Sequence, residues 1–167
     1  MTIDEVNALP ASGFVDAFGS VYEHSPWVAE AVVAQRPFED RNQIISQMQR
    51  SMSAAPHADK LTLLRAHPEL AGKAAIDGTL TTASKSEQAS AGLDRMLPEE
   101  FEALTKMNAA YNARFGFPFI ICVRMTNKAG ILAALEQRLE NTVDEEFETA
   151  LGEVAKIAQL RLEGMIS

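Results

Sequence analysis

The chain has 167 residues, of which 47% are hydrophobic and 23% charged, the proportions of one folded globular domain with a real core rather than of a disordered chain. A formal net charge of −8 argues against non-specific nucleic-acid binding, which needs clustered Lys and Arg to neutralise phosphates. The single cysteine, Cys122, excludes an intramolecular disulfide and any cysteine-based zinc cluster.

In chain order the sequence reads as an all-α domain over residues 1–167. Ser25-Pro26 predicts an N-cap followed by Pro at the first helical position, opening a helix through Trp27, Ala31 and Val32. From about Asp40, the residues Ile44, Ile45, Met48 and Met52 recur at helical spacing. A further helix from about Ala58 carries Leu61 and Leu64 and must stop near His67, because Pro68 follows. Pro98 opens the next, with Phe101, Leu104, Asn108 and Tyr111 on one face. Ile131, Leu132, Leu135 and Leu139 mark a helix from about Lys128. Thr142-Val143-Asp144-Glu145 has the form of a capping box and opens a long last helix with Phe147, Leu151, Val154 and Ile157. Only residues 117–123 break the pattern. There Phe119 to Val123 is a β-branched and aromatic run too short for a helix, expected to be a buried extended segment.

No apolar stretch approaches the roughly 20 residues of a membrane span. MTIDEVNALP lacks the basic start and apolar run of a secretory signal, and the terminal GMIS is not a peroxisomal address. The expectation is a cytoplasmic protein bound to neither membrane nor nucleic acid.

Three stretches could carry chemistry. In Ala66-His67-Pro68-Glu69-Leu70, the proline ring keeps His67 out of the α region and at a helix end, where the dipole favours the imidazolium and brings its titration towards neutral pH. A histidine that merely caps the helix before a proline stop fits the same residues. In Ser84-Lys85-Ser86-Glu87-Gln88, the S-x-x-E pattern is a capping box whose free N–H groups would also suit a substrate carboxylate or urea oxygen. Gln88 offers both a donor and an acceptor. In Arg114 to Arg124, Gly116 and Pro118 rule out an amphipathic helix. An extended piece without a sister strand must find partners for its backbone groups, either in another loop or in a flat, amide-rich ligand. Cys122, inside an apolar run, fits a small buried hydrophobe better than a nucleophile. His24 beside Glu23 and His57 near Asp59 give no metal spacing, and there is no H-E-x-x-H, phosphate loop or G-x-S-x-G. Asn108 reads as a hydrogen-bonded core residue.

Taken together and in order, these stretches resemble the OHCU decarboxylase family, OHCU being 2-oxo-4-hydroxy-4-carboxy-5-ureidoimidazoline, a product of urate oxidation. The resemblance runs from Glu23-His24-Ser25-Pro26-Trp27 through Ala66-His67-Pro68-Glu69-Leu70 and Ser84-x-x-Glu87-Gln88-x-x-Ala91-Gly92-Leu93. It continues through Tyr111-Asn112-Ala113-Arg114-Phe115-Gly116-Phe117-Pro118-Phe119-Ile120, then Arg138 with Asn141, and Leu160-Arg161-Leu162. It implies an all-α fold, commonly homodimeric, with no metal or organic cofactor, that releases CO₂ from OHCU to give (S)-allantoin. It implies His67 as the catalytic proton carrier, with Glu87 and Gln88 beside it in the catalytic set. Pro68, Ser84, Lys85, Ser86, Glu87, Gln88 and the segment Phe119, Ile120, Ile121, Cys122 and Val123 are implied to bind the substrate, and Arg161 is a weaker candidate. Two other readings stay open: a non-catalytic helical module that docks a partner through Phe117 to Val123, and an assisting partner of the preceding hydrolase.

Overall fold

A computed structural model describes the backbone of residues 1–167 and the side chains of all but residues 73 and 74. The expectation of an all-α protein holds: ten α-helices and two 3-10 turns, with no strand among the described residues. None of the helices is long and apolar enough to cross a membrane. The chain divides into two units, Met1–Ala66 with Val154–Ser167, and His67–Glu153.

The first unit is built from α1 (Ile3–Ala8), α2 (Ala11–Phe18), α3 (Trp27–Val32) with the 3-10 turn Val33–Gln35, α4 (Arg41–Ala54) and α5 (His57–Ala66). The later part of the last helix, Val143–Met165, completes it. Its core follows the helical period: Ile44, Met48 and Met52 on α4, then Val154, Ala158 and Leu162 on the last helix, are all buried. Phe14 packs against Phe18 and Phe38, with ring centroids 4.9 and 6.0 Å apart. Asp40, where the helix is expected to begin, caps α4 by accepting from the Gln43 N–H at 2.8 Å. Ser25 does not cap α3. Its hydroxyl donates to the Glu23 carbonyl at 3.0 Å, and the N-cap position falls to Pro26, one residue later than expected.

The second unit contains α6 (Lys73–Asp77), α7 (Thr82–Ser90), α8 (Pro98–Phe115), the 3-10 turn Val123–Met125, α9 (Lys128–Arg138) and the first part of α10 (Val143–Met165). Pro98 stands at the first position of α8, and Thr142-x-x-Glu145 forms the capping box of α10, both as read from sequence. On α8, Leu104, Asn108, Tyr111 and Phe115 are buried, whereas Phe101 is 38% exposed rather than part of the core face. Gly116 ends α8 at φ 77°, a left-handed C-cap that a residue with a Cβ adopts only with strain. The chain then turns so that Phe117 and Phe119 meet Tyr111 edge-on, with centroids 5.9 and 5.4 Å away.

Candidate active site

The second unit gathers the three stretches singled out from sequence. His67 follows the last residue of α5 and is 8% exposed, as the proline stop at Pro68 requires. The chain beyond it is tied down residue by residue. Asn112 Nδ2 donates to Glu69 Oε1 at 2.9 Å, Asn108 Nδ2 donates to the Leu70 carbonyl at 3.1 Å, and the Ala71 N–H donates to Gln88 Oε1 at 3.1 Å. The turn after His67 is therefore held between α8 and α7. Asn108 is only partly the satisfied core residue expected, because its buried Oδ1 has no hydrogen-bond partner.

The second stretch differs from its expectation. Ser84 does not start a helix: Thr81 is the N-cap of α7 and accepts from the Ser84 N–H at 3.2 Å, while the Lys85 N–H donates to the Thr81 carbonyl at 2.9 Å. Residues 84–88 lie inside the helix, so the N-terminal anion cradle expected there does not exist. What residues 84–88 present instead are side chains. Ser84, Glu87 and Gln88 share one face at helical spacing; Ser84 and Gln88 are buried and Glu87 is half-buried. Lys85 and Ser86 are exposed. Gln88 and Lys85 line a cavity of about 310 Å³ whose other walls include Ala71, Leu80, Leu93 and Phe101. His67, Ser84, Glu87 and the Phe119–Val123 segment are not among its lining residues.

The third stretch is irregular backbone from Pro118 to Cys122, extended at Cys122 (φ −71°, ψ 90°). Val123, expected to extend the segment, instead begins a 3-10 turn. That turn packs beside α7. Side chains meet the backbone demand of a segment with no sister strand. Arg138 Nη1 donates to the Ile120 carbonyl at 2.7 Å, and the Cys122 N–H donates to Glu153 Oε2 at 3.2 Å. The Cys122 carbonyl accepts from Met125 N–H at 3.0 Å. Ile121, between the two clamps and half-buried, makes no backbone hydrogen bond within the described residues. Burial, and then the nearby carboxylates of Glu153 and Glu87, push the Cys122 thiol up, against the Arg124 N–H and charge. Cys122 therefore stays a protonated thiol, with the charges of Glu153 and Glu87 both acting on it.

Sequence reasoning missed Glu153, Glu146 and the role of Arg138. Arg138 Nε donates to Glu146 Oε1 at 2.7 Å, Tyr111 Oη donates to the same oxygen at 2.5 Å, and Asn141 Nδ2 donates to Oε2 at 2.9 Å. Glu146 is wholly buried. The one available signal was a glutamate on the core-facing side of the last helix, one position before Phe147.

Arg161 belongs to the first unit. Its Nη1 is 2.9 Å from Glu23 Oε2 and 3.1 Å from the Val21 carbonyl, with both charged side chains buried. No group of three or more His, Cys, Asp or Glu side chains among the described residues could hold a metal ion.

The chain matches the family described as OHCU decarboxylase over residues 7–163. It is 44% identical over 162 residues to the 2-oxo-4-hydroxy-4-carboxy-5-ureidoimidazoline decarboxylase of Haloferax volcanii, covering 97% of this chain and 94% of that one. With the protein of the same name in Xenopus laevis the identity is 38% over 162 residues, 97% of this chain and 93% of the relative. Among solved structures, an (S)-allantoin synthase superposes with a TM-score of 0.80 at 32% identity, over 99% of this chain and 54% of its own. An OHCU decarboxylase in the presence of (S)-allantoin superposes with a TM-score of 0.70 at 25% identity, over 93% of this chain and 97% of its own. This chain belongs to the OHCU decarboxylase family.

Proposed function

We propose that the protein converts OHCU to (S)-allantoin and CO₂, with His67 carrying the proton and Glu87 and Gln88 aligning the substrate. The observation that supports this reading best is the joining of stretches distant in sequence. Gln88 Oε1 binds the Ala71 N–H, and α7 packs beside the turn that ends the Phe119–Val123 segment.

Decarboxylation needs somewhere for the electron pair of the breaking C–C bond to go, and many enzymes take that sink from a cofactor. OHCU carries its own. The ring carbon next to the carboxylate-bearing carbon is an imine, so loss of CO₂ pushes the pair into that C=N and leaves an ene-amine. The protein then has to orient the substrate, handle a proton and return one to a single face. His67 takes or holds the proton of the substrate hydroxyl as CO₂ leaves. Glu87, an acceptor when ionised, holds the ureido N–H groups and aligns the imidazole. Gln88 spends its Oε1 on Ala71 and keeps its Nε2 for a ring carbonyl. The Ile121 N–H and C=O suit the paired amide edge of the substrate. Pro68 and the small Ser84 would complete the wall. The same reading takes the enzyme to be a cytoplasmic homodimer acting on a small molecule.

Substrate generated in situ from urate by the two upstream activities provides the test. Addition of the protein should accelerate its decay and give an allantoin circular dichroism signal of one sign. A racemic product formed at the uncatalysed rate would defeat the proposal and favour a binding module.

A further inference from the structure

We propose that Arg138 is a positioning residue that fixes the Phe119–Val123 backbone in the geometry that receives the substrate, with Tyr111, Glu146 and Asn141 fixing Arg138 in turn. This rests on the reading above that the segment binds substrate through its backbone.

An extended segment inside a helical unit has no ladder to set its direction, so something else must. Arg138, 8% exposed, does so from two sides. Its Nη1 donates to the Ile120 carbonyl at 2.7 Å, and its guanidinium carbon lies 4.4 Å from the centre of the Phe119 ring. A buried cation needs a fixed counter-charge. Glu146 supplies it, accepting from Arg138 Nε at 2.7 Å, with Nη2 also against that carboxylate oxygen but outside hydrogen-bond geometry. Tyr111 Oη, at 2.5 Å, and Asn141 Nδ2, at 2.9 Å, leave the carboxylate no freedom to turn.

Apolar residues of similar volume would stabilise such a place as well or better, because taking two charges out of water is costly. What the ion pair supplies and a leucine cannot is direction. The planar fork puts one edge on a carboxylate and another on a carbonyl while its face covers a ring, a combination that lysine cannot reproduce. Two residues further on, Glu153 Oε2 holds the Cys122 N–H at 3.2 Å. The two clamps fall on either side of Ile121 and present its backbone groups, which make no hydrogen bond among the described residues.

The test uses the full chain with Arg138→Lys and Tyr111→Phe. Far-UV circular dichroism and cooperative melting report folding. Turnover of in-situ substrate gives kcat and KM, and calorimetric titration with (S)-allantoin, the stable product, gives a Kd. Arg138→Lys should raise KM and Kd at least about tenfold while kcat changes less than about threefold; Tyr111→Phe should move KM and Kd the same way by a smaller factor. A merely structural role would lower the active fraction, reducing apparent kcat and leaving KM unchanged. If Arg138→Lys does not fold, Tyr111→Phe decides. KM and Kd within twofold of the parent, in whichever variant folds, would overturn the proposal. A parent that neither turns over substrate nor binds (S)-allantoin would instead overturn the functional reading beneath it.

Discussion

Ala71 donates its backbone N–H to Gln88 Oε1 at 3.1 Å while standing at φ 49°, one of two non-glycine residues with positive φ among the described residues. The left-handed region costs a residue with a Cβ on the order of 1 kcal/mol, and the bond from α7 helps to hold Ala71 there. Ala71→Gly should therefore raise stability by about 0.5–1 kcal/mol, a value reduced by glycine's extra freedom in the unfolded chain. Gln88→Ala should lower it by about 1–2 kcal/mol, because a part-buried donor loses its acceptor. Urea denaturation of the two variants reads both signs. Destabilisation by Ala71→Gly would show that the turn after His67 is not strained.

The two tyrosines should be silent in an ordinary alkaline titration. Burial pushes the Tyr22 phenol far up, and burial followed by the hydrogen bond to Glu146 does the same for Tyr111. In the unfolded chain each loses its proton near pH 10, while the folded protein keeps both. Above that pH the folded state binds more protons than the unfolded one, so stability is full below about pH 10 and falls as pH rises beyond it. Ultraviolet difference absorbance should show no phenolate step before the alkaline unfolding transition, and a single step with it. A reversible step near pH 10 in folded protein would contradict the buried Tyr111–Glu146 bond.

Arg161 and Glu23 form an ion pair with both partners buried. Glu23→Leu takes one carboxylate away from a buried guanidinium and should cost about 3–5 kcal/mol. Glu23→Leu combined with Arg161→Met should recover most of that loss, since the remaining cost is one of packing. Denaturant midpoints of the single and double variants measure the coupling. Additive losses would mean that the two charges act independently.

Activity should survive dialysis against a strong chelator, because the substrate's imine takes the electron pair that a metal or cofactor would otherwise accept. Specific activity before and after chelation, with and without added Zn²⁺ or Mg²⁺, checks this. Loss on chelation with recovery on adding metal would require a different account of the electron sink.

The helices that could be read from sequence are those with apolar periodicity, or with a proline or a capping residue at the start: α3, α4, α5, α8, α9 and α10. α6, five residues long, has no period to detect. The start of α7 was misread for a physical reason. Thr81 and Ser84 stand three apart and both are good caps, and a glutamate three beyond Ser84 makes the later one look stronger, although Thr81 is the residue that caps the helix. His67, Glu87 and Gln88 drew notice only through the ordered set of motifs, since taken alone a histidine before proline and an S-x-x-E box fit helix capping equally well. The roles of Arg138, Glu146 and Glu153 were not legible, because a charged residue on a helix reads as solvated surface until its partners are known. Those partners lie on other elements: the Ile120 carbonyl, the Tyr111 hydroxyl and the Cys122 N–H.

The most direct measurement is the rate and sign of allantoin circular dichroism produced by folded His67→Ala on substrate generated in situ. A residue that moves the proton in a positioned general acid–base step contributes about 10²–10⁴-fold. His67→Ala should lose at least about a hundredfold in kcat, with its melting curve close to the parent's, and any allantoin formed should lack a single sign. Folded His67→Ala that still makes (S)-allantoin at the parental rate would contradict the assignment of His67.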